Sequence, residues 1–191
     1  MKPIMSDSDI PYTGKELRSH FNYAAFGVSG DSISAFSGPC DVPTENLVDM
    51  ADRAAGETIK SDRMVHFIVE LYGRGLEDAV LYQRILINII KDVLKSLRDN
   101  DKPSVWRSGD DLYAVSNGEK RKLSVSIATV SPVSALVHAG VNVTYAGAPV
   151  AAAGLVDLCI DENEFKDRVL ALFAEECSSI DSARVKVRGV S

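Results

Sequence analysis

Apolar residues crowd the stretch "MVHFIVELY", where Met64, Val65, Phe67, Ile68 and Val69 are interrupted only by His66. A short run that is apolar on both parities predicts a strand buried on both faces, within "IKSDRMVHFIVELY". The period then changes. Through "GLEDAVLYQRILINIIKDVLKSLRDN", Leu76, Val80, Ile87, Ile90, Leu94 and Leu97 trace one helical stripe, with Lys95 and Arg98 at the end that suits the dipole. Asp101-Lys102-Pro103 stops this helix. Short strands follow in "SVWRSG" and "DLYAV". The Asn117-Gly118 turn signal leads into "KLSVSIATV", and Pro132 marks the turn before "SALVHAGVNVTY".

The flanks are less regular. "YTGKELRSHFNYAAFG" predicts a helix with Thr13 as cap, Glu16 three residues on, Leu17, His20, Phe21 and Ala24 in register, and Gly27 as the stop. "DSISAFSG" reads as a strand into a turn at Gly38-Pro39, and "GPCDVP" as a rigid turn. A short helix capped by Thr44 follows. After the Gly/Ala-rich "GAPVAAAG", "LVDLCI" reads as a buried strand edge. "DENEFKDRVLALFAEECSSI" reads as an amphipathic helix with Phe165, Val169, Leu172 and Phe173 inward. The tail "SARVKVRGV" alternates as a last strand or extended arm. Runs of adjacent strands bracketed by helices predict an α+β fold, a mixed, mostly antiparallel sheet with helices packed against it. No repeat or linker divides the chain, so residues 1–191 are expected to form one domain.

Composition narrows the class. Charged residues make up 25% and hydrophobic ones 46% of 191 residues, ordinary globular values. The formal charge is −6 with a pI near 5.1, which argues against broad nucleic-acid binding while leaving room for a local basic pocket. The N-terminus lacks a signal-like apolar core and no stretch reaches membrane-spanning length. Cys40, Cys159 and Cys177 are odd in number and far apart, with no CxxC pair, so a cytoplasmic protein without disulfides or a structural zinc site is expected.

Chemistry concentrates in "RKLSVSIATVSPVSALVHAGVNV". Lys122 at the mouth of a two-strand hairpin could hold a carboxylate or phosphate, or it could belong to a solvated turn whose lysines snorkel. Asn142 lies in an apolar strand, where a buried amide needs either backbone partners or a ligand, and Gly140 lets a backbone or ligand come close. Asp110 and Asp111 are adjacent, so on a strand at most one would face a pocket. His66 and His138 read as core or pocket-wall histidines, since no His/Cys/Asp cluster has metal spacing.

The succession "RSGDDLYAVSNGEKRKLSVSI…LVHAGVNV" resembles the catalytic module of biotin protein ligases and lipoate ligases, a fold of the class II synthetase type. The resemblance covers roughly residues 59–161. It implies that Arg107 takes the place of the basic residue before an acidic pair, and that Asp110 and Asp111 replace Asn-Asp. By the same resemblance Lys122 is the lysine that contacts an acyl-adenylate, and Gly140, Val141 and Asn142 match a Gly-Ile-Asn strand. The glycine-rich adenylate loop of those ligases has no counterpart before "MVHFIVEL", where "IKSDRM" offers Lys60 and Arg63.

The octanoyl transferases share the fold and use a cysteine after the Gly-x-x-Asn strand. That resemblance makes Cys159, with Lys122 as acid/base partner, a second candidate. The whole chain also resembles an uncharacterised prokaryotic family, domain of unknown function 366, on "YTGKELRSHF", "GPCDVP", "MVHFIVE" and "GDDLY".

The expected site is therefore Arg63, His66, Arg107, Asp111, Lys122, Gly140 and Asn142, binding or transferring a small carboxylate or acyl group. ATP is the cofactor such chemistry would admit. A metabolite- or protein-binding module without catalysis is the alternative, and dimerisation through an exposed strand edge stays open.

Overall fold

The computed structural model describes residues 1–116 and 118–190, so the expected turn at Asn117 lies outside the described residues. Eight strands form two sheets. The larger joins β1 (Lys2–Asp9), β2 (Ser32–Val42), β3 (Ile59–Tyr72), β8 (Ser134–Thr144) and β7 (Ser124–Val130), in that spatial order. Only the β1–β2 pair is parallel. The smaller is an antiparallel meander of β4 (Ser104–Ser108), β5 (Asp111–Ser116) and β6 (Glu119–Lys122). The fold is α+β with a mainly antiparallel sheet, as the strand runs predict.

The central strand β3 is buried on both faces because each face meets a different layer. Val65, Phe67 and Val69 point towards the long helices α3 (Leu76–Leu97) and α5 (Glu162–Val185), with Phe67 edge-on to Phe165. Met64, His66 and Ile68 point the other way, with Phe36 and Cys40 of β2, beneath Tyr12, Phe21 and Leu47. His138, Gly140 and Asn142 of β8 lie on that second face, since they share a parity and are paired through β3 with Ile68, His66 and Met64. Loops and the short helix at Phe21–Phe26 cover this face only in part, and the remainder borders a cleft.

The long run Glu119–Val130 does not form one strand. It changes sheets at Leu123, which donates its N–H to Leu112 O of β5 (2.8 Å) and accepts from Asn142 N–H of β8 (3.0 Å). Leu123 is fully buried at this junction.

Several local expectations are corrected. Strand β1 escapes a pattern reading because it is an edge with few apolar positions and a largely exposed surface. Helix α1 is only Phe21–Phe26. Glu16 does accept from the Thr13 N–H (2.7 Å), but the residues between form turns, and His20 is held at a left-handed φ of 60° with its N–H on Glu70. Strand β2 runs straight through Gly38-Pro39 with a bulge before Cys40. Gly38 is there because of crowding: a Cβ would sit 2.1 Å from Ile10 O.

The cap of α2 (Met50–Ala55) is Asp49, which accepts from the N–H groups of Ala51 and Asp52, rather than Thr44. On α3 the stripe is rotated in its first turns. Leu76 and Val80 are 53% and 38% exposed, while Ala79, Tyr82, Gln83 and Leu86 are buried.

"LVDLCI" is a helical turn, α4 (Leu155–Leu158), because Asp157 accepts from the Gly154 N–H (2.9 Å) and starts a helix. The final helix runs on to Val185 and leaves Leu172 exposed. The residues beyond it have no regular structure, in place of the expected strand.

Candidate functional site

A cleft of about 470 Å³ opens where the end of β6 meets the uncovered face of β7, β8 and β3. Its walls are the β4–β5 turn and the connectors 49–61 and 148–152. A smaller inner chamber of about 100 Å³ adjoins it, sharing Ile59, Asp110, Val125 and Ser126, and ends at Tyr12 and His138.

Lys122 stands in the outer cleft, with its Nζ 3.1 Å from Asp111 Oδ1. The pairing of β5 with β6 sets this contact, since Tyr113 lies opposite Lys122 and Asp111 is two residues earlier on the same face. The Tyr113 hydroxyl donates to the other Asp111 oxygen (3.3 Å). The Lys122 backbone is clamped: its N–H donates to Ala151 O (2.8 Å) and its carbonyl accepts from Ala153 N–H (2.9 Å). Asn142, 7% exposed, spends its amide nitrogen on Ala153 O (3.1 Å) and Lys122 O (3.4 Å). Its role in the geometry is to bind the lysine-bearing strand end to the connector that walls the cleft.

Asp110, next in sequence to Asp111, has different partners. It accepts from Gln83 Nε2 (3.0 Å), Arg84 Nη1 (3.2 Å) and the Ser126 hydroxyl (3.1 Å). Gly140 makes room for the floor, because a Cβ there would come within 2.9 Å of Met64 Cε and 3.3 Å of His138 Cε1.

His66 is completely buried under this floor. Its Nε2 faces Gly38 O (3.3 Å), and its Nδ1 faces His138 Nε2 (3.1 Å). A carbonyl can only accept, so His66 carries its proton on Nε2 and accepts at Nδ1. His138 must then donate from Nε2, which leaves its own Nδ1 as a lone-pair acceptor. Burial pushes the His66 imidazole down to about 3. Burial first, and then the neighbouring His66, holds His138 well below the usual range, so both rings are neutral. Tyr12 lies flat over His138, with ring centroids 3.7 Å apart.

The structure thus brings Asp111, Lys122 and Asn142 to one cleft, with Gly140 and His66 packed behind its Met64 and Val125 walls. It does not bring Arg63, Arg107 or Cys159 there. Arg63 has the parity of the helix-covered face and clamps Glu162 through Nε (3.0 Å) and Nη2 (2.7 Å), with Nη1 on Asp9 (3.2 Å). These carboxylates raise its already high pKa further. Arg107 donates to Gly109 O (3.0 Å) and lines a separate shallow depression beside Arg84. Cys159 is exposed, caps α4 at a left-handed φ of 54°, and has Lys102 rather than Lys122 beside it.

Residues that the pattern does not single out complete the walls. Tyr12, Asp49, Asp52 and Ser126 arrive from loops or by strand parity, and only the alternation of "SVSIATV" hints at Ser126. Among the described residues no group of three His, Cys, Asp or Glu side chains could hold a metal ion, and no helix is long and apolar enough to cross a membrane.

Comparison with known proteins places this architecture. A family profile described as Domain of unknown function (DUF366) matches residues 1–188. The chain belongs to the DUF366 family. The uncharacterized protein MJ0805 of Methanocaldococcus jannaschii is 36% identical over 188 residues, which is 95% of this chain and 81% of that protein. A protein of unknown function from Pyrococcus horikoshi superposes with a TM-score of 0.90 at 40% identity, over the whole of both chains.

At lower identity, the biotin protein ligase of Aquifex aeolicus in complex with biotin and ATP gives a TM-score of 0.57 at 14% identity, covering 91% of this chain and 69% of its own. Ta0514 of T. acidophilum with bound lipoic acid gives 0.58 at 14% identity, covering 92% and 85%. This DUF366 chain therefore has the biotin/lipoate ligase fold, and identities this low show the fold alone.

Proposed function

We propose that the cleft binds a small molecule through its carboxyl or acyl end, with Lys122 as the cationic group that meets that end. The observation that carries this reading is the convergence of Lys122, Asp111 and Asn142 in a cleft that Met64, Ser124, Val125 and Ser126 also line. A partly buried ammonium is worth more to a carboxylate, or to charge developing on an acyl oxygen, than one in open water. Asp111 keeps the ammonium positioned between ligands, and Asn142 fixes the strand end that carries it. The likeness in fold to proteins that hold biotin or lipoic acid supports a ligand of this size and chemistry.

The residues present do not suit a nucleotide. The connector between β2 and β3 carries Glu45, Asp49, Asp52 and Glu57 against Arg53, with Gly56 its one glycine. Asp49, Asp52, Glu57, Asp110 and Asp111 line the cleft against Lys60 and Lys122, so polyphosphate would meet more negative than positive charge there. No adenylation step is assigned. That same acidic wall favours the second reading, a ligand-binding module without catalysis. The transferase reading through Cys159 has no support in the geometry, since the thiol lies away from the lysine that would have to activate it.

The test is a thermal-shift panel of biotin, lipoate, octanoate, ATP and a non-hydrolysable acyl-adenylate on wild type and Lys122→Ala. A ligand at a hundred times its dissociation constant adds about 2.7 kcal/mol, a shift of roughly 5 to 11 °C at this chain length. A shift with a carboxylate that vanishes in Lys122→Ala supports the reading. Equal shifts in both proteins, or none with any carboxylate or acyl compound, refute it.

A further inference from the structure

The inner chamber has a chemistry of its own. Tyr12 is 4% and His138 3% exposed, and both face the chamber. The Tyr12 hydroxyl and His138 Nδ1 make no hydrogen bond to another described residue and are not among the fully buried unpartnered atoms, so they are open to the chamber. Two polar atoms that the protein leaves open at one end of an otherwise enclosed cavity give a ligand's polar group a place to bond. The proton arrangement fixed by Gly38 makes His138 Nδ1 an acceptor. Burial also holds the Tyr12 phenol protonated. Around them stand Asp49, Asp52 and Asp110, and no lysine or arginine lines the chamber. Asp110 is balanced by Arg84 (3.2 Å), while Asp52 has no cationic partner among the described residues. The far end of the cleft is thus an acceptor-rich, electronegative pocket, whereas the near end carries the Lys122 ammonium.

We propose that the inner chamber receives a cationic, N–H-bearing head group, so that the occupant of the whole cleft is an amino-terminated carboxylic acid or an acyl derivative of one. The ammonium N–H groups donate to His138 Nδ1 and to the Tyr12 oxygen, and the charge faces Asp52 and Asp49. The apolar walls Val42, Leu47, Val125 and Ile127 contact the methylenes. This inference rests on the preceding reading for the carboxyl end only.

The experiment is isothermal titration of the full chain with three matched series of equal chain length: linear ω-amino acids, the corresponding alkanoates, and the corresponding alkylamines. The expected result is that the ω-amino acid binds at least about tenfold more tightly than the alkanoate, the size of one charge-assisted hydrogen bond. Tyr12→Phe retains the stack on His138, and Asp52→Asn changes only a rim residue, so both variants fold. Each narrows the gap several-fold, Tyr12→Phe by weakening the ω-amino acid alone and Asp52→Asn by weakening the ω-amino acid and the alkylamine together. Alkanoates that bind as well as their amino counterparts, a gap that neither variant narrows, or no binding in any series overturns the proposal. Amines that bind with or without a carboxyl, indifferent to Lys122→Ala, would uphold the chamber and refute the carboxyl reading of the outer cleft.

Discussion

Lys122 and Asp111 form a 3.1 Å ion pair across two neighbouring strands, each about a third exposed, in the cleft that Asn142 also lines. An exposed or half-exposed pair adds little to stability, about 0–1 kcal/mol. Its value lies in holding one charge ready. Asp111→Asn should therefore leave the melting temperature within a few degrees of wild type and tighten the binding of carboxylates several-fold, because the ammonium no longer has a competing anion. Titration calorimetry on the variant decides it, and weaker binding would mean that Asp111 orients the lysine more than it competes for it.

Crowding at two glycines predicts an order of damage. In Gly140→Ala the new methyl meets the flexible end of Met64 at 2.9 Å, which can yield, so the expected cost is about 1–3 kcal/mol. In Gly38→Ala the methyl meets backbone, with Ile10 O at 2.1 Å and Ile10 C at 2.7 Å, and neither can move without pulling the segment after β1 off the sheet. Thermal melts should rank Gly38→Ala well below Gly140→Ala. The Gly140 variant should also lose ligand affinity by narrowing the floor.

The histidine pair predicts a pH dependence. Above about pH 6.5 neither state carries the protons and the pair is neutral in the balance. As pH falls below that value the unfolded chain takes up protons that the folded pair refuses, down to the folded His66 value of about 3. Urea midpoints should therefore fall between pH 7 and 5, and the slope should shrink in His66→Gln or His138→Gln if these variants remain folded. An unchanged slope would mean that the rings are protonated in the native protein.

Glu162 acts lower on the scale. Hydrogen bonding to Arg63 is the main cause of its depressed carboxyl pKa. Its contribution is present above the unfolded value of about 4.3 and is lost as pH falls through the lower, folded value. Glu162→Gln should lower stability slightly at pH 7 and flatten the unfolding curve only below about pH 4.5. A change of slope near neutrality would contradict the assignment.

The three cysteines differ in reactivity. Burial, the largest cause, pushes the Cys40 and Cys177 thiols up to about 12, while Cys159 is exposed. A thiol reagent should modify one site in the native protein, mapped to Cys159, and three in denaturant. Cys159→Ser should keep full ligand binding, which also tests the exclusion of the cysteine from the site.

Much of the frame was legible in the chain. The doubly buried Ile59–Tyr72, the long helix and the paired strands after it follow from period alone, because burial on one or two faces leaves its mark on every second or fourth residue. Lys122, Gly140 and Asn142 match the ligase pattern, and Lys122 and Asn142 do share a cleft. Arg63 was misplaced by one parity, since nothing in "IKSDRM" says which face of the strand its guanidinium takes until Glu162, ninety-nine residues away, is seen to hold it. Tyr12 was invisible for a similar reason. Its importance comes from lying across His138, and a contact between distant segments leaves no period in either.

Leu123 has a consequence for spacing along the cleft. Because this one residue bonds to both sheets, the ammonium of Lys122 and the chamber wall at Ser126 belong to a single backbone run and are not separate parts packed together. The spacing of their Cα atoms is then a count of residues: four steps of about 3.3 Å, at most roughly 13 Å. The spacing of the lysine-bearing position from the entrance of the inner chamber is written into the chain between Lys122 and Ser126.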